Sequence, residues 1–396
     1  MAFKSIDQLD ISGKRIFLRV DFNVPLDKSG AITDDTRVRA VLSTLKYALS
    51  KNAKIILASH LGRPKGKPEP EFSLAPVARR VGELLGKEVK LAPDCIGPET
   101  EKMVAAMKPG DVLLLENLRF HKEEEKNDPA FAKSLASLAD LYVNDAFGSA
   151  HRAHASTEGI VAHVKQAAAG FLMADELAYL SKALEAPDRP FVAVLGGAKV
   201  SDKLEVIQNL LGKVDTLIIG GAMAYTFLKA RGLAVGASLV EDELLDAARD
   251  IERKVASSNV TLELPIDHVV AEKLAAGLPT AVLAVDDPAI GQRMGLDIGP
   301  KTAARYAEAV SKAHTVVWNG PMGVFEIDEF AAGTNAVAHA VAGVTGTTII
   351  GGGDSIAAVA KAGVADRVSH ISTGGGASLE FLGGRTLPGV AALPEK

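Results

Sequence analysis

Short apolar runs alternate with helically spaced apolar positions from one end of this 396-residue chain to the other. That alternation is the mark of an α/β fold with mainly parallel sheets. The runs predict strands near residues 15–20, 54–58, 111–115 and 141–143 in the first half. In the second half they fall near 191–195, 216–219, 315–318, 347–350 and 369–372. Two sets of strands, in a chain too long for one ordinary core, predict two domains. Between them, residues 171–186 put Leu177, Leu180 and Leu184 on one helical face, and Pro187 and Pro190 end the pattern. No Gly/Ser linker intervenes, so the domains read as joined by a helix, a stiffer hinge than a tether.

Open α/β sheets bind ligands beyond the carboxyl ends of their strands. The first-half strands deliver Asp21-Phe22-Asn23, Ser59-His60-Leu61-Gly62-Arg63, Glu116-Asn117-Leu118-Arg119 and Asn144-Asp145-Ala146-Phe147-Gly148, with His151-Arg152-Ala153-His154 just beyond. Arginine forks suit phosphate and carboxylate bidentately. Arg37, Arg63, Arg119 and Arg152 therefore suggest a site for an anion bearing both groups. Each arginine alone is more often a surface residue or ion-pair partner; three just past strand ends, with Arg37 nearby, favour the anion site. His60 reads as a hydrogen-bond donor to such an anion, or as a satisfied structural histidine. His151, His154 and His163 complete no recognised zinc spacing, and a metal reading is rejected.

The second-half strands deliver glycine instead. The stretch Gly196-Gly197-Ala198-Lys199-Val200-Ser201-Asp202-Lys203 follows the run at 191–195 and leads into a helical pattern at 204–211. Glycines at a strand-to-helix turn, a helix start that favours anions and two lysines four apart predict a polyphosphate site. A tight turn with two solvated lysines is the plainer reading. Later strands lead to Gly220-Gly221, to Asn319-Gly320-Pro321-Met322-Gly323-Val324-Phe325-Glu326, to Gly351-Gly352-Gly353-Asp354-Ser355 and to Thr373-Gly374-Gly375-Gly376. Small residues at neighbouring strand ends leave room for a large flat or polyanionic ligand, and their repetition in one half favours a nucleotide. Asp354 fits either an N-cap of a helix from Ser355 or a Mg²⁺ ligand. Glu326 fits either a contact to ribose hydroxyls or an acidic loop with Asp328 and Glu329. Residues 377–382 predict a short helix stopped at Gly383-Gly384, and 387–393 is apolar enough to dock.

Composition changes this picture in two places. The net charge of −5 argues against general nucleic-acid binding. It is unevenly spread, since residues 1–172 carry a net +3 and the remainder −8, so the first half is the better host for a small anion. One cysteine, Cys95, permits no internal disulfide and suits a reducing compartment. The absence of a signal-peptide core at the start, or of an apolar stretch of roughly 18 residues, makes a cytoplasmic, non-membrane protein the expectation.

Taken together, these motifs resemble the phosphoglycerate kinase family over nearly the whole chain. They are Val20-Asp21-Phe22-Asn23-Val24-Pro25, Ser59-His60-Leu61-Gly62-Arg63-Pro64, Glu116-Asn117-Leu118-Arg119-Phe120 and the run from Asn144 to Arg152. The runs from Gly196 to Lys203, from Gly320 to Glu326 and from Gly352 to Ser355 match in the same order. The departures are small: Ala222 where many members have a third glycine, and Ser149 and Ser355 where threonine is frequent. The resemblance implies two Rossmann-like three-layer domains and Mg²⁺-dependent transfer between 1,3-bisphosphoglycerate and ADP, giving 3-phosphoglycerate and ATP, in a monomer. Domain limits of 1–172, a hinge at 173–186, 187–376 and a tail at 377–396 packing on the first domain are expected. Carried onto matching positions, it assigns Asp21, Asn23, Arg37, His60, Arg63, Arg119 and Arg152 to 3-phosphoglycerate. Lys203, Gly295, Asn319, Glu326, Gly352, Gly353, Asp354 and Ser355 fall to the nucleotide, Asp354 also to the metal, with Gly220, Gly221, Pro321 and Val324 near the base. Arg37, Lys199, Gly374, Gly375 and Gly376 would serve transfer itself.

The residues agree with that chemistry by what they lack. A carboxylate acceptor, with a pKa near about 4, is already ionised at pH 7 and needs no general base, and none is evident. No G-x-G-x-x-G with a following acid supports a nicotinamide dehydrogenase, and Pro300 interrupts the nearest approach to a P-loop. A two-lobed binding or sensing protein explains the arginines and glycines, but gives no reason for Lys199 and Gly374 to Gly376 beside a transferable phosphate.

Overall fold

The computed structural model describes residues 3–395. The chain divides into two compact units, one built from residues up to Ala178 together with the segment from Thr386 onward, the other from Tyr179–Arg385. Among the described residues no helix is long and apolar enough to cross a membrane.

The first unit holds β1 (Arg15–Arg19), β2 (Lys54–Ala58), β3 (Lys90–Leu91), β4 (Val112–Leu114), β5 (Leu141–Asn144) and β6 (Ala167–Ala169). They form one sheet in the order β3-β4-β2-β1-β5-β6, and every pairing is parallel. Parallel strands covered by helices on both faces must be apolar on both, which is why Ile16, Phe17 and Leu18 run without a break. Ile16, Leu18, Ile55, Leu57 and Leu114 are buried in one core with Val38, Leu45 and Val77 from the covering helices.

The second unit repeats the plan with β7 (Phe191–Leu195), β8 (Thr216–Ile219), β9 (Thr261–Glu263), β13 (Thr315–Asn319), β14 (Thr347–Gly351) and β15 (His370–Ile371), in the order β15-β14-β13-β7-β8-β9. The pairings are again parallel. Trp318, fully buried on β13, anchors this core and donates its indole N–H to the Gly320 carbonyl at 2.7 Å. Between β9 and β13 a separate antiparallel sheet of β10 (Asp267–Ala271), β11 (Ala281–Ala284) and β12 (Met294–Ile298) is inserted, in the order β11-β10-β12.

That insert is absent from the sequence expectation, as are β3, β6 and β9. Its strands are interrupted by Asp267, His268 and Asp297, and β11 alternates exposed and half-buried positions, so none reads as an unbroken apolar run. The joining helix spans Phe171–Glu185, and the boundary between the units falls inside it. Met173, Leu177, Leu180 and Ala183 are its buried apolar positions, while Leu184 is only half-buried.

The end of the chain is shared out. Helix Gly376–Leu382 packs on helix Leu204–Leu210 in the second unit, where Asn209 Nδ2 donates to the Leu382 carbonyl at 2.7 Å. From Thr386 the chain belongs to the first unit. There Leu387, Val390 and Leu393 are buried, the Gly389 amide donates to the Ala150 carbonyl at 2.9 Å, and Asn144 Nδ2 donates to the Gly389 carbonyl at 3.3 Å. Leu393→Ala should therefore destabilise the first unit by about 2–5 kcal/mol and loosen the turn at 147–150. Hydrogen exchange checks this: faster exchange at 147–150 with unchanged β7 and β13 is expected, and unchanged protection at 147–150 would contradict the docking.

Candidate functional site

Strand β1 ends in a buried charge. Arg19 is 1% exposed, and a guanidinium so placed requires acceptors. Its Nε donates to Ser156 Oγ at 2.8 Å, one Nη donates to the Val20 carbonyl, and the other stands 3.3 Å from His60 Nδ1. Ser156 in turn donates from its amide and its hydroxyl to the buried carboxylate of Glu124. Arginine cannot accept, so His60 Nδ1 does, and Nε2 carries the ring hydrogen. Burial is the main force holding His60 well below the ordinary histidine range; Arg19, Arg119 and Arg37 add to it against the pull of Asp21. His60 is thus a neutral donor at pH 7.

Arg37 lies in the short helix Thr36–Ala40 and reaches back to Asp21 Oδ1 at 3.2 Å and the Asn23 carbonyl at 3.0 Å. Asn23 Oδ1 accepts the Gly62 N–H at 2.9 Å, and Arg119 donates to the Gly62 carbonyl at 2.9 Å. Burial alone would raise the Asp21 carboxyl, but its charged neighbours, Arg37 and Arg19 among them, outweigh it and hold it below the usual carboxylate range. The loops after β1, β2 and β4 are therefore tied together, and Asp21, Asn23, Arg37, His60 and Arg119 form one connected set. Arg152 is exposed, with Nε 3.2 Å from His151 Nε2, and its charge helps to lower both Arg119 and His154. Arg63 is exposed beside Gly62, and among the described residues no side-chain hydrogen bond ties it to the set.

In the second unit the loops after β7, β8 and β13 meet backbone to backbone. Gly196 N–H donates to the Asn319 carbonyl (3.0 Å), Gly197 N–H to that of Pro321 (3.0 Å), Gly221 N–H to that of Met322 (3.1 Å) and Met223 N–H to that of Gly197 (3.0 Å). A Cβ on Gly196 would stand 2.2 Å from the Pro321 carbonyl oxygen, and one on Gly220 2.4 Å from Met322 Sδ. Part of the room these small residues leave is thus filled by the protein itself. Around Gly197 and Gly353 the space is open.

The helix expected at 204–211 forms, but the two glycines do not open it. The helix begins at Leu204, and the path before it is set by buried Val200 and by Ser201, which donates from its amide to Glu241 at 3.1 Å. Lys199 and Lys203 consequently share no helical face. Lys199 is exposed, whereas Lys203 is buried and donates from Nζ to Asn319 Oδ1. Burial lowers the Lys203 ammonium from its ordinary value, and Asp202 and Asp354 oppose that. The Asn319 Nδ2 atom is buried with no hydrogen-bond partner.

Beside these loops lies a cavity of about 290 Å³ whose walls include Gly197, Gly221, Tyr225, Gly295, Pro321, Val324 and, at the edge, Glu326 and Asp354. Tyr225 hydrogen-bonds His268 Nδ1 at 3.0 Å and lies so close to Gly295 that a Cβ there would fall 1.5 Å from its hydroxyl. Asp354 is not an N-cap: helix Gly353–Lys361 starts two residues earlier than expected, because Gly352 with φ 88° makes the turn, and Asp354 is exposed in the first turn. Ser355 is buried and accepts the Gly320 N–H at 2.6 Å. In the acidic loop, Asp328 pairs with Lys361 and Glu329 accepts the Gly277 N–H, which sets Glu326 apart on the cavity wall. Gly374 reaches Ser372 Oγ at 3.3 Å, Gly375 turns with φ 51°, and Gly376 opens the helix that follows.

Three groups in these sites escape the sequence reading: Arg19, the Tyr225–His268 pair and Asp297. The usable signal for Arg19 and Asp297 is a charge inside an otherwise apolar strand. Asp297 accepts the Gly333 N–H at 2.7 Å and the Ile298 N–H at 2.9 Å, and it fills the space that side chains on Gly323 and Gly333 would need.

Known proteins share this chain's pattern throughout. The phosphoglycerate kinase family model matches residues 6–385. The phosphoglycerate kinase of Moorella thermoacetica is 61% identical over 396 residues, covering 100% of both chains. The cytosolic phosphoglycerate kinase of Triticum aestivum is 59% identical, covering 99% of this chain and 98% of its own. Among solved structures, phosphoglycerate kinase from Coxiella burnetii superposes with a TM-score of 0.91 at 46% identity, covering 98% of each chain. That from Pyrococcus horikoshii gives 0.84 at 34%, with the same coverage.

Burial pushes the Asp297 carboxyl up to about 7, against the two N–H groups that lower it. A folded-state value above the unfolded one of about 3.9 contributes stability that is full below pH ~4 and lost as pH rises through about 7. Asp297→Asn should remove that fall, worth roughly 1.4 kcal/mol per pH unit between pH 4 and 7. Denaturant unfolding from pH 5 to 8 measures it, and an unchanged slope in the variant would refute the assignment.

Proposed function

The chain belongs to the phosphoglycerate kinase family and is a phosphotransferase; on that premise we propose that its first unit binds 3-phosphoglycerate or 1,3-bisphosphoglycerate and its second ATP or ADP. The observation that carries the acceptor site is the connected set around Asp21, with Arg37, Arg119 and a neutral, donating His60 on three neighbouring loops. Arg63 and Arg152, exposed at the same strand ends, complete the cationic side. Asp21 and Asn23 supply acceptors for a hydroxyl. In the second unit the cavity at Gly221, Gly295, Pro321 and Val324 suits a flat base, and Glu326 suits ribose hydroxyls. Gly220 shapes that cavity through its packing on Met322. Buried Lys203, the amide of Asn319 and the N–H groups of Gly352, Gly353 and Ser355 suit phosphate oxygens.

In this reading the acceptor carboxylate attacks the terminal phosphorus of ATP, and the bond to the β-phosphate oxygen breaks. The carboxylate is already ionised, so no side chain has to take a proton. Catalysis then rests on placement and on spread negative charge in the transferring group. Arg37 would hold the acceptor carboxylate and Lys199 would follow the phosphoryl group. The N–H groups of Gly374, Gly375 and Gly376 would meet its equatorial oxygens. Asp354, an exposed carboxylate in a helix's first turn beside the cavity, fits Mg²⁺, which takes one or two carboxylates and fills its shell with phosphate oxygens and water; bound there, the ion supplies neutralising charge. Transfer requires the two anions to meet, and the helix Phe171–Glu185 is read as the hinge.

Turnover with ATP and 3-phosphoglycerate in the presence of Mg²⁺, followed through a coupling dehydrogenase, tests the proposal. Loss of turnover on removing Mg²⁺ is expected, and no turnover despite binding of both ligands would sink the reading. Arg37→Ala and Lys199→Ala should each lower kcat by about 10²–10³-fold while changing substrate binding far less. Unchanged kcat in both would remove their roles.

A further inference from the structure

We propose that Asp94, Cys95 and His121 in the first unit form a binding site for a thiophilic divalent cation of the zinc type. A carboxylate oxygen, a thiol sulfur and an imidazole nitrogen lie within 4.8 Å of one another. This is a mixed oxygen, sulfur and nitrogen donor set, which favours Zn²⁺, Co²⁺ or Cd²⁺ and disfavours Mg²⁺.

The three groups are held by the fold itself. Asp94 Oδ1 accepts the Cys95 N–H at 2.6 Å and stands 2.7 Å from His121 Nε2. The Asp94 carbonyl accepts from Thr100 Oγ1 at 2.9 Å, and the His121 ring packs 5.2 Å from that of Phe131. Tetrahedral zinc, with bonds of about 2.3 Å to sulfur and about 2.0–2.2 Å to nitrogen and oxygen, needs its ligand atoms roughly 3.5 Å apart. The Asp94–His121 pair has to open slightly to receive the ion, and half-exposed Asp94 is free to do so. Asp94 also lines a cavity of about 310 Å³ with Pro93, Glu116 and Phe120.

The carboxylates of Asp94 and the buried Glu124 near Cys95 favour a dication beside the sulfur; burial and those same carboxylates keep the thiol protonated, so the cation has to displace that proton. Binding sends the thiol proton, and any proton on His121, to solvent; the cation takes a lone pair from each ligand, and nothing is oxidised or reduced. Affinity therefore rises with pH. His121 directly follows the turn Leu118–Phe120 that carries Arg119, but the donors are distinct from the acceptor set above.

The test uses the full chain after chelator treatment, titrated with Cd²⁺ and then competed with Zn²⁺. Cys95 is the sole cysteine, so any thiolate-to-cadmium charge-transfer band reports this site alone. One equivalent should saturate the band, Zn²⁺ should displace Cd²⁺, and excess Mg²⁺ should not. His121→Asn should weaken binding by more than roughly tenfold, since even outer-shell partners of metal ligands are worth that much, and Cys95→Ser should abolish the band. Absence of the band at one equivalent overturns the proposal, and so does an unchanged affinity in His121→Asn, which decides the matter even if the buried Cys95 variant fails to fold.

Discussion

The second unit depends on contact between main chains. The loops after β7, β8 and β13 approach closely enough to exchange N–H···O=C bonds, and a Cβ at Gly196, Gly221 or Gly320 would strike a backbone atom at under 3 Å. Backbone groups are obligatory hydrogen-bonding partners, so this junction is rigid in a way that side-chain packing is not. It fixes Pro321 and Met322 against Gly197 and Gly221, and so gives one wall of the cavity its shape. Trp318 braces the junction from below through its bond to Gly320. Gly197 and Gly353 remain open.

The first unit solves a different problem. Its strand ends carry guanidiniums, which repel one another and resist burial. The structure meets this by giving the three inner charges fixed acceptors: Ser156 and Val20 for Arg19, Asp21 and Asn23 for Arg37, Gly62 and the carboxylate of Glu125 for Arg119. Most of those acceptors are neutral, so the positive field survives. That field, added to burial, keeps His60 uncharged. One unit is organised by shape and the other by charge.

Much of this was legible in the chain. The strands at 54–58, 191–195 and 216–219 were readable because a strand buried on both faces tolerates few polar positions. The arginine and glycine motifs were readable because they follow those strands directly. Arg19 was hidden inside a strand, and its partners Ser156 and Glu124 are distant in sequence. The antiparallel insert was hidden because its strands are short, carry Asp267, His268 and Asp297, and face outward along β11. The helix at 204–211 was readable from its apolar spacing, whereas the path from Gly197 to Leu204 is set by Val200 and by the contact of Ser201 to Glu241, which no local pattern encodes. Spacing shows what repeats along the chain; pairing between distant residues decides where a loop goes.

The chain passes through its two units in the order first, second, first. A ribosome adding residues from the N-terminus releases β1 to β6 early, yet the seam beside Ala150 and Asn144 waits for Leu387, Val390 and Leu393. The whole of Tyr179–Arg385 is made in between. At about 5–20 residues per second that interval lasts on the order of 10–40 s. The unit that starts first is thus finished last, and its neighbour has every residue it needs to close while the older sheet still carries an open seam.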